Sequence, residues 1–204
     1  MTSPVGLARK AVRFELSLYR SLYRWVARRP VAPPGSEPFG YAEAVTPLLW
    51  VFIVVSAIDI PVLHLVLPWR TAEIISFVVG VWGLTWMIGL LASLRVSPHT
   101  VSASGLRVRY GTGIDITVPW DAVAEVRSRR RDLPSSRTVH LDQTESGAVL
   151  QIGITSQTNV DVVLRQPTAV PVKGRTESIS ELRFFADDPR ALVLRARELI
   201  AAGV

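Results

Sequence analysis

No cysteine occurs among the 204 residues. Disulfides, thiolate zinc sites, iron–sulfur clusters and cysteine nucleophiles are therefore excluded. Histidine is nearly as scarce: only His64, His99 and His140 are present, and their scatter argues against a histidine-built metal centre. Phosphate-cradling loops are missing too, because Gly111-Thr112-Gly113 lacks a third glycine and Gly-Lys-Ser/Thr occurs nowhere. No serine sits in a nucleophile elbow. The neighbouring acids Asp187 and Asp188 read more simply as a helix N-cap, and His140 lies in a strand pattern beside no nucleophile. A non-enzyme is expected, with no metal, no cofactor and no small-molecule substrate.

Charge is what the middle of the chain lacks. From Thr46 to Pro68 the only ionisable residues are Asp59 and His64, and from Ile74 to Leu94 there are none. Each apolar run, about 46–67 and 73–94, suffices to cross roughly 30 Å of hydrocarbon as a helix. The pattern predicts a transmembrane hairpin over 44–94, turned at Pro68-Trp69-Arg70-Thr71-Ala72. Lys and Arg set its direction: seven precede the hairpin, Arg70 alone lies in the turn, and fifteen follow. Positive residues stay in the cytoplasm, so both termini are expected inside a cytoplasmic membrane, with a minimal loop outside. No cleavable signal is expected ahead of the hairpin.

The hairpin is not uniform. Asp59 falls near the middle of the first span, where an isolated carboxylate is costly. Pro61 follows and frees a backbone carbonyl, then come His64 and, at the outer boundary, Glu73. Asp-x-Pro-x-x-His reads either as a proton- or ion-handling element facing another helix or as interhelical hydrogen bonding, for instance from Asp59 to a Ser or Trp of the second span. In the second span Ser76, Gly80 and Gly83 make a small-residue face for close helix packing, within the hairpin or with another copy. Trp50 and Trp69 flank the first span as interface anchors.

Residues 1–30 hold an amphipathic helix, followed by a Pro/Gly linker over 31–43. Within 6–29, Arg9, Lys10, Arg13, Arg20, Arg24 and Arg28 gather on one flank, while Leu7, Ala11, Phe14, Leu18, Leu22, Trp25 and Val26 cover the other. Only Glu15 interrupts the apolar side. A basic face opposite an aromatic-rich one predicts a helix lying among anionic inner-leaflet headgroups. Packing on a protein surface is one alternative, and an Arg-rich transit segment is another.

After Arg95 the pattern changes to short alternating strands: 99–102, 106–110, 115–118, 123–129, 137–141, 148–154, 160–165 and 179–185. Ser104-Gly105, Ser146-Gly147 and Lys173-Gly174 are among the turns between them. Asp188-Pro189 then opens a helix. Strands closed by one helix suggest a small barrel or sandwich with a plugged end.

The run SASGLRVRYGTGIDITVPWDAVAEVRSRR, with Pro119-Trp120 at its corner, resembles the bacterial pleckstrin-homology-like (PH-like) domains of small two-span membrane proteins. The closing ISELRFFADDPRALVLRARELI is similar to their last strand and capping helix. The resemblance covers about 95–202 and implies a mainly-β PH-like domain over 95–204. It leaves Arg165–Glu177 as an inserted loop. It also implies a scaffold that takes protein partners or lipid headgroups. Trp120 reads as a groove aromatic or as a core plug. Arg129, Arg130 and Arg131 are candidate contacts for anionic lipid, although a solvated strand end has the same composition. The domain's fifteen basic against twelve acidic residues give no face-specific excess for nucleic acid. The expected protein is an integral membrane scaffold that meets inner-leaflet lipids and a protein partner or a second copy of itself. The alternative is an accessory subunit of a transporter or proton-linked complex using Asp59 and His64.

Overall fold

The computed structural model describes residues 4–27, 33, 35–111, 113–144, 147–172 and 174–203, without the side chains of 4–8, 10 and 11. The chain divides into two compact units, Met1–Pro30 with Val45–Val96, and Val31–Ala44 with Ser97–Val204.

The first unit is helical: α1 (Pro4–Val26), α2 (Thr46–Val66) and α3 (Arg70–Val96). A proline in its first turn starts α2, where the missing N–H would have no partner anyway. Pro61 lies inside α2 without ending it. Against the expected span of 73–94, α3 begins three residues earlier, so the turn contracts to Leu67–Trp69. Arg70-Thr71-Ala72 contains no helix breaker, and Glu73 in the first turn is favoured by the positive end of the helix dipole. Both α2 and α3 are long and apolar enough to cross a membrane. Their large side chains, Val51, Val54, Ile58 and Val78 among them, are mostly exposed. Gly80 brings the two helices together: a Cβ there would lie 2.7 Å from Cγ1 of Ile60.

The second unit is mainly β. Its strands are β1 (Glu37–Phe39), β2 (His99–Ser102), β3 (Gly105–Tyr110), β4 (Ile114–Val118), β5 (Val123–Asp132), β6 (Val139–Thr144), β7 (Gly147–Ile152), β8 (Gln157–Val172) and β9 (Arg175–Phe184). They make two sheets, ordered β1-β2-β3-β4 and β5-β8-β9-β7-β6, antiparallel throughout except for β7 with β9. A one-turn 3-10 helix, Trp120–Ala122, makes the corner between them. Alternate residues of both sheets, including Leu106, Ile116, Leu150, Val162 and Leu182, fill one core. α4 (Pro189–Ala201) covers it with Leu192, Val193 and Ala196, its first turn capped by Asp188 accepting from the amide of Ala191. Gly105 turns β2 into β3 at φ 142°, and a Cβ there would stand 2.5 Å from the Val118 carbonyl, so no side chain fits.

Two expectations are corrected. Arg165–Glu177 is not a loop: β8 runs to Val172 and β9 starts at Arg175, paired from Thr168↔Ile179 to Val172↔Arg175. Pairing of β8 with β5 ends at Leu164, so beyond it one edge of β8 is open. Pro167 lies in the register shift between Val163 and Thr168, and Pro171 in the half-paired stretch, places where a strand tolerates a missing N–H. Likewise 31–43 is more than a linker, because Glu37–Phe39 pairs with His99–Val101 and belongs to the β unit.

Candidate functional site

Within the helical unit the polar residues of the hairpin separate. His64 Nδ1 meets Glu73 Oε1 at 2.9 Å, joining the end of α2 to the first turn of α3. Asp59 is exposed, and no hydrogen bond or ion pair links it to His64 or to any other described residue. The indole of Trp82 is directed elsewhere, its Nε1–H donating to Glu15 Oε1 at 2.8 Å. Ser76 and Gly80 are half-buried, whereas a Cβ on Gly83 would meet nothing, so the small-residue face does not act as one surface. Trp50 and Trp69 are exposed, and so is Pro61.

Glu15, the one acid on the apolar side of α1, is therefore a link between helices. Around it Phe14 packs on Trp86 with ring centroids 6.2 Å apart, and Leu18 lies against Gly89. Leu18 and Ser21 are buried, with Leu22 and Trp25 half-buried beside them. α1 thus packs along α3, the alternative to a helix lying free among headgroups. Gly89 carries this contact: a Cβ there would be 3.2 Å from that of Leu18. The opposite side of α1 is a shallow groove of about 500 Å³ lined by Leu16, Tyr19, Arg20, Tyr23 and Arg24. Arg9 and Arg13 are exposed. Arg28 and the side chain of Lys10 lie outside the described residues.

In the β unit the arginine run is largely engaged. Arg131 bonds Asp161 at 3.0 Å, Arg130 donates to Gln157 Oε1 at 2.8 Å, and Arg127 pairs with Glu125. Arg129 has no partner among the described residues. Asp161 is 2% exposed although it points to the outer face, because the long side chains of Arg131 and Arg183 lie over it. Strand register extends this into a polar row across the sheet, Arg127, Asp161, Arg183, Gln151 and His140. Glu181, held to Arg183 at 2.8 Å, keeps that guanidinium more firmly protonated.

Segment 37–43 is fastened by Tyr41, His99 and Asp187, to none of which sequence reasoning gave this role; the expected N-cap is Asp188 alone. Tyr41 packs against His99 with tilted rings, centroids 4.8 Å apart, and its hydroxyl accepts from the amide of Gly111 at 2.7 Å. Burial pushes that phenol well above its usual range. His99 is fully enclosed: Nδ1 accepts from the amide of Arg109, so Nε2–H donates to the carbonyl of Phe185 at 2.9 Å. Burial lowers its pKa to about 4. Asp187 accepts from the amide of Glu43, and its own amide donates to the carbonyl of Gly40. Burial raises its carboxyl above the ordinary value. The alternation of Phe39 and Tyr41 after the prolines was the available sign of a strand.

Trp120 resolves as core. It is 4% exposed, and its Nε1–H donates to the carbonyl of Ser102 at 2.8 Å. Beside it Pro119, Asp121 and Ala122 face Arg165–Ala169 across an open groove of about 420 Å³. The groove holds one acid, Asp121, one base, Arg165, and otherwise uncharged side chains.

Residues 98–171 match the family model of a bacterial PH domain, from just before β2 almost to the end of β8. No curated protein and no solved structure matches the chain.

Proposed function

We propose that this chain uses its bacterial PH domain as a non-enzymatic interaction module, held at the cytoplasmic face of a bacterial inner membrane by a two-span hairpin. One observation carries the reading: two membrane-length helices are inserted between β1 and β2 of a PH-like β unit through very short connections. β1 is followed within seven residues by α2, and α3 within three by β2. Such a domain has little tether with which to leave the bilayer surface. Its partner would be a protein, met along the Pro119–Ala169 groove or the polar row through Asp161. Inner-leaflet lipid would attract the remaining free arginines, each worth about 1 kcal/mol near an anionic surface.

The absence of cysteine makes the test clean. Single cysteines at Thr71 and at Ser104 are expected to react oppositely with a membrane-impermeant maleimide on intact cells, Thr71→Cys labelled and Ser104→Cys not. Affinity capture from the same cells, with full-length chain and with chain ending at residue 94, is expected to give a partner that depends on the β unit. Inverted labelling would reject the orientation. No domain-dependent partner, together with no lipid binding, would reject the module.

A second reading, an accessory subunit of a transporter or proton-linked complex, rests on Asp59. An exposed carboxylate in the middle of a span, with no partner among the described residues, suits a contact supplied by another membrane protein. His64 contributes less, being engaged with Glu73. Asp59→Asn is expected to impair the associated complex by tenfold or more if this reading holds; normal activity would remove it.

A further inference from the structure

We propose that the groove on the outer side of α1 is a binding site for an anionic phospholipid, with Arg20 and Arg24 holding its phosphate. The inference rests on the orientation given above, in which the C-terminal end of α3 lies at the cytoplasmic surface.

Three contacts set the depth of α1. Phe14 meets Trp86, Glu15 meets Trp82 and Leu18 meets Gly89, so α1 and α3 advance in the same direction. At 1.5 Å per residue on both helices, Arg20 and Arg24 come level with roughly the last turn and a half of α3. There the uncharged run of α3 ends and Arg95 begins its basic border. That is headgroup depth.

The same packing sets direction. Leu18, Ser21 and Trp25 face α3, whereas Leu16, Tyr19, Arg20, Tyr23 and Arg24 follow i, i+3, i+4, i+7 and i+8 on the opposite side. Tyr23 is 69% exposed, Leu16 58% and Tyr19 39%, an unusual amount of apolar and aromatic surface to leave to water. Tyrosines at this depth are the interfacial type, ring toward the acyl chains and hydroxyl toward the headgroups. Neither Arg20 nor Arg24 has an acidic partner among the described residues. One turn apart on the same face, Arg20 and Arg24 would bring two guanidinium donor forks to a single phosphodiester. The Tyr23 hydroxyl adds a donor, that of Tyr19 being directed to Glu15, and Leu16 lies where the first methylenes of the chains would pass. Two fixed cations favour a lipid with net negative charge, because a zwitterionic headgroup brings its own cation to the same place.

The test uses the full-length chain in nanodiscs of phosphatidylcholine containing graded phosphatidylglycerol, with bound lipid counted by native mass spectrometry after release into detergent. Wild type is expected to retain phosphatidylglycerol selectively. Arg20→Gln/Arg24→Gln is expected to lose at least about tenfold in retention, from two charges at an anionic surface. Arg195→Gln, which removes a β-unit guanidinium already paired with Glu198 and Glu37, is expected to match wild type. Circular dichroism of the double variant checks that α1 remains helical. Equal retention by the double variant, equal retention of phosphatidylcholine, or displacement of the lipid by millimolar inorganic phosphate would each overturn the proposal. Cysteine labelling at Thr71 reports separately on orientation, so failure of that premise is distinguishable from failure of the site.

Discussion

Single residues here change meaning once their neighbours are known. Glu15 looks like a defect in an apolar face until Trp82 donates to it. His99 has no evident role in a strand of four residues, yet it is completely enclosed and satisfied at both nitrogens. Its pKa falls from an ordinary 6.5 to about 4, so the folded state holds it neutral while the unfolded chain protonates it. Stability is therefore full above about pH 6.5 and is lost as pH falls toward 4, by about 3 kcal/mol from this group alone. Asp187 partly opposes this: its raised carboxyl is easier to protonate in the fold, which relieves a cost at the acid end. Unfolding of the β unit, followed by tryptophan fluorescence, is expected to shift to lower denaturant between pH 7 and 4.5. A flat profile would contradict the assignment of His99.

Elements show where small side chains matter. Gly80 and Gly83 are indistinguishable in an apolar run, but a Cβ at Gly80 would press on Ile60 and one at Gly83 would meet open space. A β-branched side chain in a helix has little rotameric freedom with which to retreat. Gly80→Ala is thus expected to destabilise the hairpin by about 1–3 kcal/mol. Gly83→Ala is expected to be neutral or to stabilise it by up to about 1 kcal/mol, from helix propensity alone. Thermal unfolding of the two variants in one detergent decides this, and equal effects would place the α2–α3 contact elsewhere. Among strands, β8 teaches a similar lesson. Pro167 and Pro171 suggest a loop only while β8 is assumed to be paired on both edges.

Across the whole molecule, periodicity carried most of the architecture. Runs of uncharged residues marked α2 and α3, the alternation after Arg95 marked β2 to β9 in outline, and Asp188-Pro189 marked the start of α4. Those signals are local, because burial of one face writes its period directly into neighbouring positions. The candidate sites were legible only as residue types. Nothing in the spacing of Arg127, Arg129, Arg130 and Arg131 separates the one left unpaired from those bound to Glu125, Gln157 and Asp161, since the partners stand as much as 30 residues away. Nor does the order of the chain reveal that β1 joins the β unit through a contact 60 residues distant in sequence. Composition and period settled that this is a hairpin of membrane length joined to a mainly-β domain, because hydrophobic burial is a property of each segment. Tertiary structure alone decided which polar groups face one another and which stand free, because a charge is satisfied by proximity in space, and proximity belongs to the fold.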